Sequence, residues 1–324
     1  MSEAVDQTSS ISAVWPPEPG MNNRLRGFYN RVVDTPDTAK EFLLAFEEYV
    51  GVVEEHPVFD RLSIRTVATR EALQSLDTAG VQLEGALPLR QSADEMVVYT
   101  AWNAPHRSVP HEKLQVHHAL LGEVVQHRRE ERTQHEQAVH TLAPRLIDES
   151  VSDKRRQQMV GNFANLYSVF GYNESDVEEI LLNRDNTIAY LEDANGVVST
   201  AMAEHGRIDL EAHPSITLVE ITEAVTRPEA RGQGYYRTIS RFLVDQLARS
   251  ERGSIDAIYG ESNLAMRGVL IAAHQNGRRF SHFDRHHLGI QQPHFGILQQ
   301  NVRVEDGTEL RSYNDFALSY IPLS

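Results

Sequence analysis

Apolar positions in this chain recur with two spacings, every second residue and every third or fourth, and the two patterns alternate along its length. The clearest switch lies in Leu218–Ser250. Alternation over Leu218–Val225 predicts a strand with Leu218, Glu220, Thr222 and Ala224 on one face. Pro228 ends it, and Arg231-Gly232-Gln233-Gly234 predicts a turn whose glycines let backbone amides approach a ligand. Ile239, Phe242, Leu243 and Leu247 then recur at helical spacing. The same alternation of periods predicts strands from Arg24 through Val32, over Leu62–Val67, Val81–Leu89 and Met96–Trp102. Helices are predicted through Phe42, Phe46 and Val50, with Asp37 or Thr38 as N-cap, and over Thr69–Leu76. Further on, helices are expected over Asp153–Tyr172 and Glu174–Leu182. A hairpin follows, with strands Thr187–Glu192 and Val197–Ala203 turning at Asn195-Gly196. Ile255–Tyr259, a helix Asn263–Gln275, and strands Arg279–His282 and Asp315–Ile321 complete the pattern, with an extra hairpin turning at Glu305-Asp306-Gly307.

These elements predict a mixed α/β (α+β) protein in four parts. Residues 1–22 are polar, carry Pro16, Pro17 and Pro19, and are expected to be disordered. Residues 23–104 form an N-terminal α/β lobe, 105–152 a charged helical connector, and 153–324 a larger α/β domain. The N-terminal lobe reads either as a truncated repeat of the second half of that domain or as an unrelated α/β lobe.

Composition narrows the function classes. The 324 residues are 40% hydrophobic and 24% charged, with a formal net charge of −15. That balance disfavours a nucleic-acid partner, which needs a basic surface, and suits a cationic ligand. No run approaches the roughly 18–20 apolar residues of a membrane span, and no basic start with an apolar core marks a secretory signal. Cysteine is absent, which removes disulfides, thiolate metal sites and a cysteine nucleophile. A cytoplasmic protein is the expectation. Among fifteen histidines, His282, His286, His287 and His294 lie closest together, but on predicted strand and loop they share no ligand face. No metal site is expected.

The strand, the turn Val-x-x-Pro-x-x-Arg-Gly-x-Gly over Val225–Gly234 and the following helix resemble the acetyl-CoA motif of the Gcn5-related N-acetyltransferase superfamily. Arg231 and Gly234 match its Gln/Arg-x-x-Gly-x-Gly/Ala signature, and Tyr236 departs from the last position. Over most of the chain the resemblance is closer to the β-lysine N-acetyltransferases. It rests on Val219–Gly234, on Glu261–Arg279, on the closing hairpin at Gln299–Val304, and more loosely on Asn23-Arg24 and Gly80–Pro88. Two departures, Ala273 and Arg278, stand where that family carries aromatic residues.

The resemblance implies the superfamily fold in the C-terminal half, acetyl-CoA as co-substrate, and a small-molecule amine as acceptor, with a homodimer left open. Cofactor contacts are implied at Ala224, Val225 and Thr226, at Arg231, Gly232, Gln233, Gly234, Tyr235 and Tyr236, and at Asn263. A helix N-terminus behind such a turn offers unpaired N–H groups to a pyrophosphate. Asn263 either joins it or caps its helix. Amine acetylation requires an acceptor for the amine proton, and Glu220 is the candidate, the alternative being that it pairs with an arginine. Glu223 falls on the opposite face of a regular strand, and a β-bulge would reverse that parity. Tyr259 is the first candidate to meet the leaving thiolate, with Tyr235 and Tyr236 behind it.

Overall fold

A computed structural model describes residues 11–13, 24–55, 61–78, 81–92, 94–103, 111–127, 142–148, 150–168, 172–250, 255–264, 267–280, 282–283, 294–295, 297–302 and 312–322. In the N-terminal lobe, β1 (Ile11–Ala13), β2 (Arg24–Val33), β3 (Arg61–Thr69), β4 (Gln82–Pro88) and β5 (Glu95–Asn103) form a sheet in the order β1-β2-β3-β5-β4. Helix α1 (Pro36–Glu55) joins the parallel pair β2 and β3, and α2 (Arg70–Thr78) leads on to β4. Ala39, Phe42, Phe46, Tyr49 and Val53 make the buried stripe of α1. Its first turn is capped by Thr35, whose hydroxyl accepts the Thr38 N–H at 3.2 Å, so the cap precedes both expected positions, Asp37 and Thr38.

The second sheet is built from β6 (Arg145–Ile147), β7 (Asn186–Asp193), β8 (Gly196–Ile208), β9 (Ile216–Thr226), β10 (Ala257–Asn263), β11 (Arg279–Phe280), β14 (Ile297–Val302) and β15 (Ser312–Ile321). Its order is β11-β15-β10-β9-β8-β7-β6, with β14 also paired to β15. A separate two-stranded pair is formed by β12 (His282–Phe283) and β13 (His294–Phe295). Only β9 and β10 run parallel among its paired strands. One face packs on α7 (Tyr235–Ser250), through Ile239, Leu243 and Leu247 against Val219, Ile221 and Ile258. The other face packs on α5 (Val160–Tyr167) and α6 (Glu174–Leu182), through Phe163, Tyr167, Val177 and Leu181 against Ile188, Tyr190 and Met202. The parallel pair joined by α7 thus sits inside an otherwise antiparallel sheet. Both sheets contain a parallel strand–helix–strand pair with an antiparallel strand beside its second member.

Next to α5 and α6, the free part of that face is covered by the N-terminal sheet. Val32, Val67, Leu87, Val97 and Tyr99 meet Ile208, Ile216, Leu218, Ala257, Tyr259 and Leu318 in one buried cluster. Backbone bonds cross the seam, from Arg90 N–H to the Asp256 carbonyl at 3.0 Å and from Glu211 N–H to the Asn30 carbonyl at 2.7 Å. Helix α3 (His111–His127) packs through Leu121 and Val124 on α8 (Arg267–Gln275) and Phe280.

Several expectations are corrected. Ile11–Ala13, inside the stretch expected to be disordered, pairs with β2. There Ile11 is buried and its carbonyl accepts the Tyr49 hydroxyl at 2.8 Å. The helical connector ends short of residue 152, because Arg145–Ile147 is the edge strand β6. Its three residues, with Leu146 and Ile147 packed on opposite faces, are too few for a period to show. The helix expected over Asp153–Tyr172 is two pieces, α4 (Asp153–Gln157) and α5. The buried Arg156 at the break reaches carbonyls of Asp148, Val151 and Leu181. The turn at 305–307 lies outside the described residues. Among the described residues, no helix is long and apolar enough to cross a membrane.

Candidate functional site

Two irregularities in β9 shape the site. Met202 pairs with Thr222 but Thr200 pairs with Val225, so β9 carries one residue more than β8 in that interval. Glu223 absorbs it at φ 46°, a left-handed conformation that is uncommon outside glycine. On the other edge, the parallel ladder with β10 covers only Leu218–Glu220 against Ala257–Tyr259. Beyond Glu220 and Tyr259 the two strands part, which opens one edge of β9.

At the end of β9 the chain turns through a 3-10 segment, Pro228–Ala230, and then Arg231–Gly234. Gly232 and Gly234 both stand at φ 78°, so glycine is required by the turn itself. Tyr235 and Tyr236 open α7, and the first bond back along the helix is Thr238 N–H to the Gly234 carbonyl at 3.1 Å. The amides before Thr238 therefore have no helical carbonyl to bind, and they stand at the positive end of a sixteen-residue helix dipole. Arg231 and Gln233 are exposed beside them, and the Arg231 Nε–H donates weakly to the Thr226 carbonyl at 3.4 Å. Ala224, Val225 and Thr226 follow the bulge. Val225 is buried against α5 and α6, and Thr226 shares a hydroxyl–hydroxyl bond of 2.8 Å with Ser199. This cradle has the elements an anionic pyrophosphate and an extended amide chain need, namely free helix amides and an unpaired strand edge. Asn263 is the last residue of β10, its side chain lies outside the described residues, and α8 is described from Arg267.

Glu220 lies where the strands part, half-buried on the face covered by the N-terminal lobe. It accepts the Tyr259 hydroxyl at 2.8 Å. Burial, reinforced by the charge of Glu261 and opposed by Arg65 and Arg26, pushes its carboxyl up to about 7. Tyr259 is buried and its phenol is raised well above its ordinary value by burial, so it remains a neutral donor to Glu220. Tyr235 and Tyr236 are half-buried at the start of α7.

Glu223 differs from the regular-strand expectation. The bulge returns it to the face of Glu220, where its carboxylate accepts the Tyr172 hydroxyl at 2.8 Å. Burial raises its carboxyl as well. Residues that sequence reasoning missed come from the other lobe. The Arg65 guanidinium lies 5.5 Å from the Phe28 ring centre, 4.8 Å from that of Tyr99 and 5.4 Å from that of Tyr259. No local pattern marks Arg65, because strand pairing brings Phe28 and Tyr99 to it and lobe docking brings Tyr259. Among the described residues no group of three potential metal ligands occurs. His286 and His287 lie outside the described residues, as do the side chains of His282 and His294.

No family model matches the sequence, and no curated protein matches it. The structure is similar to that of NAA60 from Arabidopsis thaliana in complex with a bisubstrate analogue. That likeness has 12% identity and a TM-score of 0.40 over 57% of this chain and 100% of that one. It is similar to the ribosomal-protein-S18-alanine N-acetyltransferase of Escherichia coli at 12% identity and a TM-score of 0.38, over 56% of this chain and 95% of that one. An IAA acetyltransferase from Bacillus cereus ATCC 14579 shows 14% identity and a TM-score of 0.33, over 56% and 100%.

Proposed function

We propose that this chain is an acetyl-CoA-dependent N-acetyltransferase acting on a primary amine of a small molecule in the cytoplasm. The observation that carries the reading is the coincidence of three features at one place. The parallel pair parts at Glu220 and Tyr259, the bulge follows within three residues, and the glycine turn onto α7 follows that. Acetyl-CoA supplies the acetyl thioester. The amides at the start of α7 and around Arg231–Tyr236 hold its pyrophosphate, and the open edge of β9 at Ala224–Thr226 takes its extended arm.

An alkyl ammonium titrates near about 10.4, so the nucleophile must lose a proton on the protein. Glu220, raised to about 7, is ionised enough at neutral pH to accept it and basic enough to compete for it. Tyr259 orients the accepting carboxylate through its 2.8 Å bond. The sequence resemblance suggests β-lysine or a similar amino acid as acceptor. The test is thiol release from acetyl-CoA with a panel of amines, with acetyl-CoA binding followed by calorimetry. Release that depends on an added amine is expected. Tight acetyl-CoA binding without turnover of any amine would make the protein a binding module instead.

A further inference from the structure

We propose that Arg65 of the N-terminal sheet receives the carboxylate of the acceptor, so that the amine reaches Glu220 on a molecule carrying both groups. This rests on the acetyltransferase reading and names the acceptor class for the same site. Three aromatic rings hold the guanidinium, one of them Tyr259, which itself bonds Glu220. The N–H edge of a guanidinium matches a carboxylate in two parallel bonds. Among the described residues Arg65 makes no hydrogen bond and no ion pair. The Glu220 and Glu261 carboxylates act on it through space without bonding it, so its N–H groups remain available to a ligand carboxylate.

A second cation points the same way. Arg26 pairs with Ser63, and Phe28 with Arg65, so Arg26 and Arg65 share one face of adjacent strands. Arg26 also makes no ion pair among the described residues, and both arginines lower the carboxyl of Glu220 from across the seam. Two cations from one lobe therefore face the Glu220 carboxylate of the other without pairing to it. An acceptor with a cationic end and an anionic end satisfies both sides. The Tyr259 ring stands between them, its face on Arg65 and its hydroxyl on Glu220. A ring standing between the two charges suits an amine carried some bonds away from the carboxylate. It also gives the N-terminal lobe a task, since its own strand-to-helix turn at Asp34-Thr35 has no glycine.

The test compares amino carboxylates with amines that lack the carboxylate: lysine, β-lysine, ornithine and 6-aminohexanoate against cadaverine, putrescine and pentylamine. The wild type should prefer a carboxylate-bearing member by about 10–100-fold in kcat/KM, the range of a charge-assisted pair. Arg65→Gln should cut kcat/KM for the carboxylate-bearing acceptors about 10–100-fold more than for the plain amines, removing that preference through KM with acetyl-CoA affinity unchanged, any loss shared by both classes being the effect of Arg65 on the Glu220 carboxyl. Arg65→Lys keeps the charge and the bulk but not the two-pronged edge, and should fall between, with the melting temperature of each variant read alongside. Equal use of both classes by the wild type, or a parallel loss of both in Arg65→Gln, overturns the assignment of Arg65 while leaving the acetyltransferase reading in place. Failure to bind acetyl-CoA at all overturns that reading and this inference with it.

Discussion

Glu220 is one carboxylate whose surroundings set both its chemistry and its effect on stability. Glu220→Gln keeps shape and a hydrogen-bond acceptor for Tyr259 but removes the basic oxygen. Its kcat at neutral pH should fall by about 10²–10⁴-fold, with acetyl-CoA affinity unchanged. The loss should shrink as pH rises, because more of the amine is already neutral. Equal loss at every pH would mean that Glu220 positions the cationic amine without taking its proton. Stability should move in the opposite sense. The folded protein holds this proton more tightly than the unfolded chain, whose carboxyl titrates near 4.5. The stabilisation is therefore complete below that value and is lost as pH rises through about 7. Glu220→Gln should melt higher than wild type at about pH 8, and the gap should close toward about pH 4. A variant that melts lower at the alkaline end would show that the ionised carboxylate is well compensated by Arg65 and Arg26.

At the scale of elements, the parting of β9 and β10 is maintained by what lies against Gly260. A Cβ added there would sit 2.3 Å from Arg278 Nη1 and 2.9 Å from the Ile221 carbonyl oxygen. Arg278 is 2% exposed, so its side chain has little room to withdraw. This residue stands where the resembled family carries an aromatic group, and it occupies the space beneath the parting strands. Gly260→Ala should push β10 away from β9 and cost about 1–3 kcal/mol, the usual penalty of overpacking. The melting temperature should fall, and acetyl-CoA affinity should fall with it. A variant of wild-type stability would show that Arg278 yields easily and does not set the separation of the strands.

For the molecule as a whole, the two lobes share one apolar seam, and the site lies at its polar end. The first residues take part through Ile11, 2% exposed, which extends the N-terminal sheet and bonds Tyr49. Removal of residues 1–10 should leave the melting temperature unchanged. Removal of residues 1–13 should lower it, by about 1–3 kcal/mol for one large buried side chain and its hydrogen bond. Identical melting of the two truncations would show that β1 contributes nothing to the lobe. Because Arg65 and Arg26 belong to the same lobe, loosening it should also raise KM for the acceptor more than for acetyl-CoA.

Much of this was determined by the sequence alone, because it depends on residues near one another in the chain. Leu218–Ser250 reads as strand, turn and helix from period and glycine placement, and the structure has β9, a turn at positive φ and α7 there. The expectation that a bulge would change the parity of Glu223 was also available, since it follows from counting along one strand. Other features needed tertiary structure. The bulge itself exists only as a mismatch between β8 and β9, and β6 is too short to show a period, so its pairing with β7 defines it. Ile11–Ala13 is a strand because β2 offers an edge and Tyr49 a donor, neither of which polar composition reveals. The grouping of Glu220 and Tyr259 with Arg65 and Arg26 spans some two hundred residues. The raised carboxyl of Glu220 arises from burial and charges that docking of the lobes brings together, and burial is a property of the folded molecule, not of any segment.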